Sequence, residues 1–264
     1  MTTMIEDAAP VRAPSAFRAL TELPRAFAEL SALGMVGPML AQAPRGDGHP
    51  VLVLPGFVAS DTSMRLLRNY LTKIGYDPYG WELGRNLGPK AVGQDGEKLL
   101  ARLRAVHEQT GRRVSLIGWS LGGMMARQLA HRAPAMVRQV ITLGSPFGGS
   151  PRATNVWLAY EMLTGHKIDS ADALAQLRES AAPPPVPTTS IFTREDGIVA
   201  WQNCIEPEGP ESDNIEVIGS HCGLAVNPAV LYAIADRLAQ PEGNWHPFER
   251  TGLKAMVYPS AGHA

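Results

Sequence analysis

A serine with glycine two residues before it and two after it, Gly118-Trp119-Ser120-Leu121-Gly122, is the pattern in this chain with the clearest chemistry. That spacing suits a sharp strand-to-helix turn, because the glycines remove Cβ clashes with the neighbouring strand and helix and leave the serine Oγ exposed. Average residue usage produces such a match in roughly one chain in ten of this size, so the flanking sequence must decide. Val114-Ser115-Leu116-Ile117 leads in as a short apolar run, Leu121 to His131 leads out with helical spacing, and Gly123 permits close helix-sheet approach. Ser120 is therefore a candidate nucleophile.

A serine hydroxyl is a weak nucleophile at neutral pH and needs a base within hydrogen-bond reach, itself oriented by an acid. On an elbow of this kind the acid and then the histidine follow the serine in chain order. Of seven histidines, His166, His221, His246 and His263 lie beyond the helix after Ser120. His221, in Gly219-Ser220-His221, follows the last strand candidate and so falls on a loop at the carboxyl edge of a sheet, where catalytic groups collect. It is the candidate base, with His166 second. Asp196, in Thr193-Arg194-Glu195-Asp196-Gly197-Ile198-Val199, follows the preceding strand, and its Asp-Gly turn favours it over Glu195 as the acid. The oxyanion of acyl transfer needs preorganised donors: the backbone N-H of Leu121 is one candidate, and that of Phe57, in the loop Pro55-Gly56-Phe57-Val58, is the other.

With these residues in place the chain resembles the lipase and esterase branch of the α/β-hydrolase superfamily over residues from about 50 to 240. Thr142-Leu143-Gly144-Ser145-Pro146-Phe147-Gly148-Gly149-Ser150 resembles the T-L-G-T-P-H-x-G-S stretch of bacterial lipases, and Glu195 to Val199 resembles their acid-bearing D-G-x-V segment. The sequence departs from that pattern twice: Pro55-Gly56 stands where the family has His-Gly, and Phe147 where many lipases have histidine. The resemblance implies a carboxylic ester hydrolase whose acyl-enzyme at Ser120 is released by water. Two other readings stay open: an acyltransferase using the same residues, and a non-catalytic binding protein that keeps the fold.

The elements that must position these groups alternate. Val51 to Leu54 is a continuous apolar run, similar short runs recur at Val114 to Ile117, Val137 to Leu143, Thr188 to Phe192 and Ile215 to Ile218, and a further, less apolar strand candidate lies at Tyr76 to Trp81. Helical patterns fall at Met64 to Ile74, Gly96 to Gln109, Leu121 to His131 and Pro228 to Leu238. The pattern predicts an α/β domain with a mostly parallel sheet of about six strands and helices on both faces. Residues 46–264 are expected to form this single domain. Residues 150–187 exceed what a crossover needs and hold two helical segments, Ala153 to Leu163 and Ala171 to Arg178, so a small helical cap is expected there. Trp157, Tyr160 and Leu163 share one face of its first helix and, with Trp119 and Phe147, are candidate pocket walls. Residues 1–45 are expected to be a tail and an amphipathic helix, with Leu23, Phe27 and Leu30 on one face and Arg25 and Glu29 opposite. That helix is expected to pack on the domain, with a membrane-surface or dimer contact as the alternative.

The formal charge of -1 offers no footprint for a polyanion, so no nucleic-acid partner is expected. Glu6 and Asp7 stand where a signal peptide carries basic residues, so a cytoplasmic or peripherally membrane-associated location is expected. No His/Asp cluster at ligand spacing is found, and neither metal nor cofactor is called for. Cys204 and Cys222 lie on the acid-bearing and base-bearing loops, in an order that permits a disulfide between them or two free thiols.

Overall fold

The computed structural model of the chain describes residues 11–35, 40, 42–252 and 254–259. Among these, six strands make one fully parallel sheet: β1 (Pro50–Leu54), β2 (Asp77–Gly80), β3 (Val114–Trp119), β4 (Val137–Leu143), β5 (Thr188–Phe192) and β6 (Ser212–Glu216). Their spatial order is β2-β1-β3-β4-β5-β6. The switch of direction after β2 places β1, β3 and β4 in the middle, where burial on both faces explains the apolar stretches Val51 to Leu54, Leu116-Ile117 and Val140-Ile141.

Alternate residues of each central strand face different layers. Val51, Val53, Ile117 and Ile141 pack with Leu67 and Leu71 of α3 (Arg65–Ile74) and with Val230, Leu231 and Ile234 of α9 (Pro228–Leu238). Leu52, Leu54, Leu116 and Val140 pack with Leu103 and Val106 of α5 (Glu97–Thr110) and with Met125, Ala126 and Leu129 of α6 (Leu121–Arg132). A short α4 (Pro89–Val92) precedes α5, and α10 (Lys254–Val257) follows α9.

The ends of several elements differ from the periodicity, most clearly those of β6 and the cap helices. The expected strand Ile215 to Ile218 runs instead over Ser212–Glu216, because this is the sheet edge. There Asp213 and Asn214 accept loop N-H groups from Phe248 and Glu206, and Ile218 has already left the sheet. The first cap helix, α7 (Trp157–Thr164), starts four residues later than its pattern suggests. Residues 153–155 use their backbone to hold the acid loop: Ala153 O accepts from Ala200 N, and Asn155 N donates to Ile198 O. The second, α8 (Ala171–Ala181), is capped by the Ser170 hydroxyl.

The N-terminal region forms two helices, α1 (Ala16–Leu20) and α2 (Glu22–Met35), and α2 lies on the domain with the opposite face from the one its amphipathic pattern implies. Leu23 and Phe27 are 73% and 72% exposed, whereas Glu22 is 2% exposed. The domain surface under α2 presents backbone N-H groups of two loops, which need acceptors more than apolar cover. The earlier part of the expected tail, residues 1–10, and His263 lie outside the described residues.

Candidate active site

Ser120 sits between β3 and α6 with φ 54° and ψ -121°, a backbone conformation that costs a residue with a side chain about 1–3 kcal/mol. Neighbouring glycines make the turn possible. A Cβ on Gly118 would lie 2.4 Å from Gly122 O, one on Gly122 2.5 Å from Leu54 O, and one on Gly123 2.0 Å from Ser145 Oγ. The Ser120 N-H donates to Leu143 O at 2.8 Å, which pins the elbow to the end of β4.

The candidate acid and the candidate base meet beside that point. His221 Nδ1 and Asp196 Oδ2 are 2.6 Å apart, and both residues are buried. The other Asp196 oxygen accepts the N-H groups of Ile198 at 2.8 Å and Val199 at 2.7 Å, so the Asp-Gly turn holds the carboxylate from behind. Gly144, directly after Leu143, brings the pair to the serine: a Cβ there would lie 3.1 Å from His221 Nδ1 and 3.3 Å from Asp196 Oδ2. With Nδ1 engaged, Nε2 is the ring nitrogen left to act on a hydroxyl. The Ser120 hydroxyl itself makes no hydrogen bond to a described residue, as is common before substrate tightens such a site. Burial pushes the His221 imidazole down, but the Asp196 carboxylate and then Glu22 outweigh it and hold it above the ordinary histidine value. Glu195 and His166, the second choices for acid and base, point to solvent.

Phe57 and Leu121 both line the cleft at Ser120, and neither backbone N-H is taken by a described acceptor. Leu121 is the first residue of α6, where a helix has no internal partner to offer its N-H. Gly56 lets the Phe57 loop approach, since its Cβ would lie 3.0 Å from the Trp119 ring and 3.3 Å from Ser120 Cβ. Asn86 fixes the loop from below. Fully buried, it donates from Nδ2 to Pro55 O at 2.8 Å, while its backbone N-H and O pair with Ala59 O and Val58 N. In sequence the loop Gly80 to Pro89, with Arg85 and Asn86, reads as a structural turn near the oxyanion loop, and Asn86 is the residue that makes the contact.

The cleft encloses a cavity of about 140 Å³ with Ser120 in its wall, lined by Leu121, Met124, Met125, Val156, Trp157, Tyr160 and Leu177 among others. Phe57 and Tyr160 touch across its mouth with ring centroids 5.3 Å apart. Three candidate pocket residues lie elsewhere. Trp119 turns behind the elbow, donating from Nε1 to His221 O at 3.0 Å, so it braces the base loop. Phe147 is 1% exposed and covered by the Arg127 guanidinium, 3.8 Å above its ring, which belongs to a buried ion pair with Glu206. Leu163 faces outward, half exposed, and its carbonyl accepts from Lys90. An apolar residue type near the elbow does not reveal which side of the sheet its side chain takes.

The disulfide does not form, and both cysteines are free thiols. Cys204 packs into a cluster with Phe192 and Val199, while Cys222 lies against Glu22, where burial and that carboxylate push its thiol up to about 12.

A second serine-histidine-aspartate chain shows what the geometry alone does not confer. His49 Nδ1 lies 2.5 Å from Asp47 and its Nε2 2.9 Å from Ser115 Oγ. This chain sits at the amino-terminal edge of the sheet with Ser115 and His49 wholly buried, and burial with Arg138 nearby lowers His49 to about 4. It has no elbow and no open donors. Here the same three residue types tie strands together.

Two solved lipase structures share the fold of this chain. Lipase B of Aspergillus fumigatus superposes with a TM-score of 0.59 at 18% identity, over 75% of this chain and 54% of that one. A Bacillus licheniformis lipase in its mature form gives a TM-score of 0.53 at 18% identity, over 76% and 95% of the two chains. The chain has the α/β-hydrolase fold. Residues 96–171 of this α/β-hydrolase fold match the family described as PGAP1-like alpha/beta domain, a stretch that contains β3, the elbow, β4 and α7. A triacylglycerol lipase of Pseudarthrobacter phenanthrenivorans is 46% identical over 109 residues, which make up 39% of this chain and 34% of that lipase. The match thus spans about a third of the length of that curated relative.

Proposed function

We propose that the chain is a serine carboxylic ester hydrolase acting on esters with an apolar acyl group. The observation that carries this is the buried Asp196–His221 pair beside a strained, glycine-flanked Ser120, with two unoccupied backbone N-H groups at the same cleft. Ser120 Oγ attacks the ester carbonyl carbon and passes its proton to His221 Nε2, while Asp196 stabilises the imidazolium. The carbonyl oxygen becomes an oxyanion held by the N-H groups of Phe57 and Leu121, each such donor contributing about 3 kcal/mol to the barrier reduction. Collapse breaks the ester C-O bond, and His221 returns the proton to the departing alcohol. Water, deprotonated by His221, then attacks the acyl carbon and frees the carboxylic acid and Ser120.

Met124, Met125, Val156 and Trp157 supply an apolar wall next to the serine and favour an acyl chain over a charged group. The names of the relatives, lipases and a triacylglycerol lipase, agree with a lipid-like ester. A series of p-nitrophenyl esters of increasing acyl length tests the reading. The kcat/KM is expected to rise about fourfold per added methylene while the cleft is filling, from about 0.8 kcal/mol per buried CH₂, and then to fall. No hydrolysis of any member above the uncatalysed rate would rule the reading out.

A further inference from the structure

The polar face of α2 is spent on the two loops that carry Asp196 and His221. Glu22 Oε1 accepts the N-H of Gly197 at 2.7 Å, and its Oε2 accepts the N-H of Cys222 at 2.9 Å. Gly197 directly follows Asp196 and Cys222 directly follows His221, so one carboxylate spans the acid loop and the base loop. Arg25 pairs with Glu22 at 2.8 Å and donates to Glu195 O at 2.9 Å. Glu29 accepts the N-H of Ser220 at 2.7 Å and the amide of Asn227 at 2.9 Å. A helix serving only as cover would bury its apolar side, yet Leu23 and Phe27 face outward.

We propose that Glu22 is a positioning residue of the active site, whose single buried carboxylate fixes the distance between the acid and base loops and so holds Asp196 against His221. The proposal rests on the ester hydrolase reading above, but its geometry and its charge can be tested apart from that reading. Without Glu22, the buried N-H of Gly197 and the part-buried N-H of Cys222 lose their acceptor, and the loops they belong to are free to separate. A misplacement of about 1 Å at such a site costs on the order of 10²-fold in rate.

The charge of Glu22 also acts on the base. The charged or titratable groups around His221 are Asp196 from the acid loop, Glu22, Arg25 and Glu29 from α2, and the thiol of the adjacent Cys222, with the Cys204 thiol near Asp196. Both thiols are pushed up by burial and stay neutral. Asp196 and, after it, Glu22 stabilise the imidazolium. Removing the Glu22 charge therefore lowers the pH at which His221 becomes the free base.

The test compares the full chain with E22Q and E22D, reading kcat and KM on a p-nitrophenyl ester and the His221 imidazole titration by NMR, with the His221 signal assigned by its loss in His221→Gln. For E22Q, kcat is expected to fall roughly 10- to 100-fold with KM little changed, and His221 to titrate at lower pH than in the wild type. E22D keeps the charge but shortens the reach: His221 is expected to titrate as in the wild type, with kcat reduced only roughly 3- to 10-fold. Wild-type kcat and titration in E22Q would overturn the proposal. So would a lowered kcat with an unmoved titration and no recovery in E22D, the result of a merely structural contact. Should E22Q not fold, E22D decides, because wild-type kcat in E22D would overturn the proposal. A wild type with no esterase activity defeats the hydrolase reading instead, and the NMR titration of E22Q then still tests the hold of Glu22 on His221.

Discussion

Ser120→Ala is expected to lower kcat on a p-nitrophenyl ester by roughly 10⁴- to 10⁶-fold and to leave the melting temperature within a few degrees of the wild type. The expected loss is large because in the proposed mechanism the hydroxyl is the attacking atom, and the remaining oxyanion donors supply only a residual rate. Stability changes little because Ser120 Oγ bonds to no described residue, so its removal orphans no partner. The strained backbone at φ 54° is the same for alanine as for serine. A binding protein that merely kept the fold would behave differently, with wild type and variant sharing one background rate.

Asp196→Asn is expected to cost about 10⁴-fold in kcat, because the asparagine amide no longer stabilises the imidazolium or fixes the useful tautomer. The sign of its pH effect follows from the charges. The Asp196 carboxylate holds His221 above the ordinary histidine value against burial, so the wild-type base is protonated up to a higher pH than a free imidazole. Without that carboxylate the imidazole releases its proton at lower pH. The acid limb of the kcat/KM profile should therefore move down in pH, and the ratio of variant to wild-type rate should rise as the pH falls. Some stability is lost as well. Asp196 Oδ1 accepts two N-H groups at 2.7–2.8 Å, and only one of the two amide orientations keeps an oxygen there.

The central sheet is legible in sequence because β1, β3, β4 and β5 are buried on both faces and each holds an apolar stretch, Val51 to Leu54, Leu116-Ile117, Val140-Ile141 and Ile191-Phe192. β6 is misread at its ends because an edge strand can begin on Asp213 and Asn214, whose side chains serve loops. Ser120, Asp196 and His221 stand out because each occupies a carboxyl-end loop in a fixed chain order, a constraint of topology that linear spacing preserves. Trp119 and Phe147 mislead because their types fit a pocket wall and a core equally well. The role of α2 is hidden for a deeper reason. Amphipathicity identifies an apolar face and supposes that it turns inward, but Glu22 and Glu29 meet backbone N-H donors of Gly197, Cys222 and Ser220 that belong to distant parts of the chain. Nothing in the local pattern around Glu22 records those partners.

Labelling with a fluorophosphonate that mimics an ester tests the proposed covalent step at Ser120. Intact mass after labelling is expected to show one adduct per chain, mapped by peptide fragmentation to Ser120, with ester hydrolysis lost in proportion to labelling. Hydrolysis that persists in fully labelled protein, or an adduct on a residue other than Ser120, would contradict it.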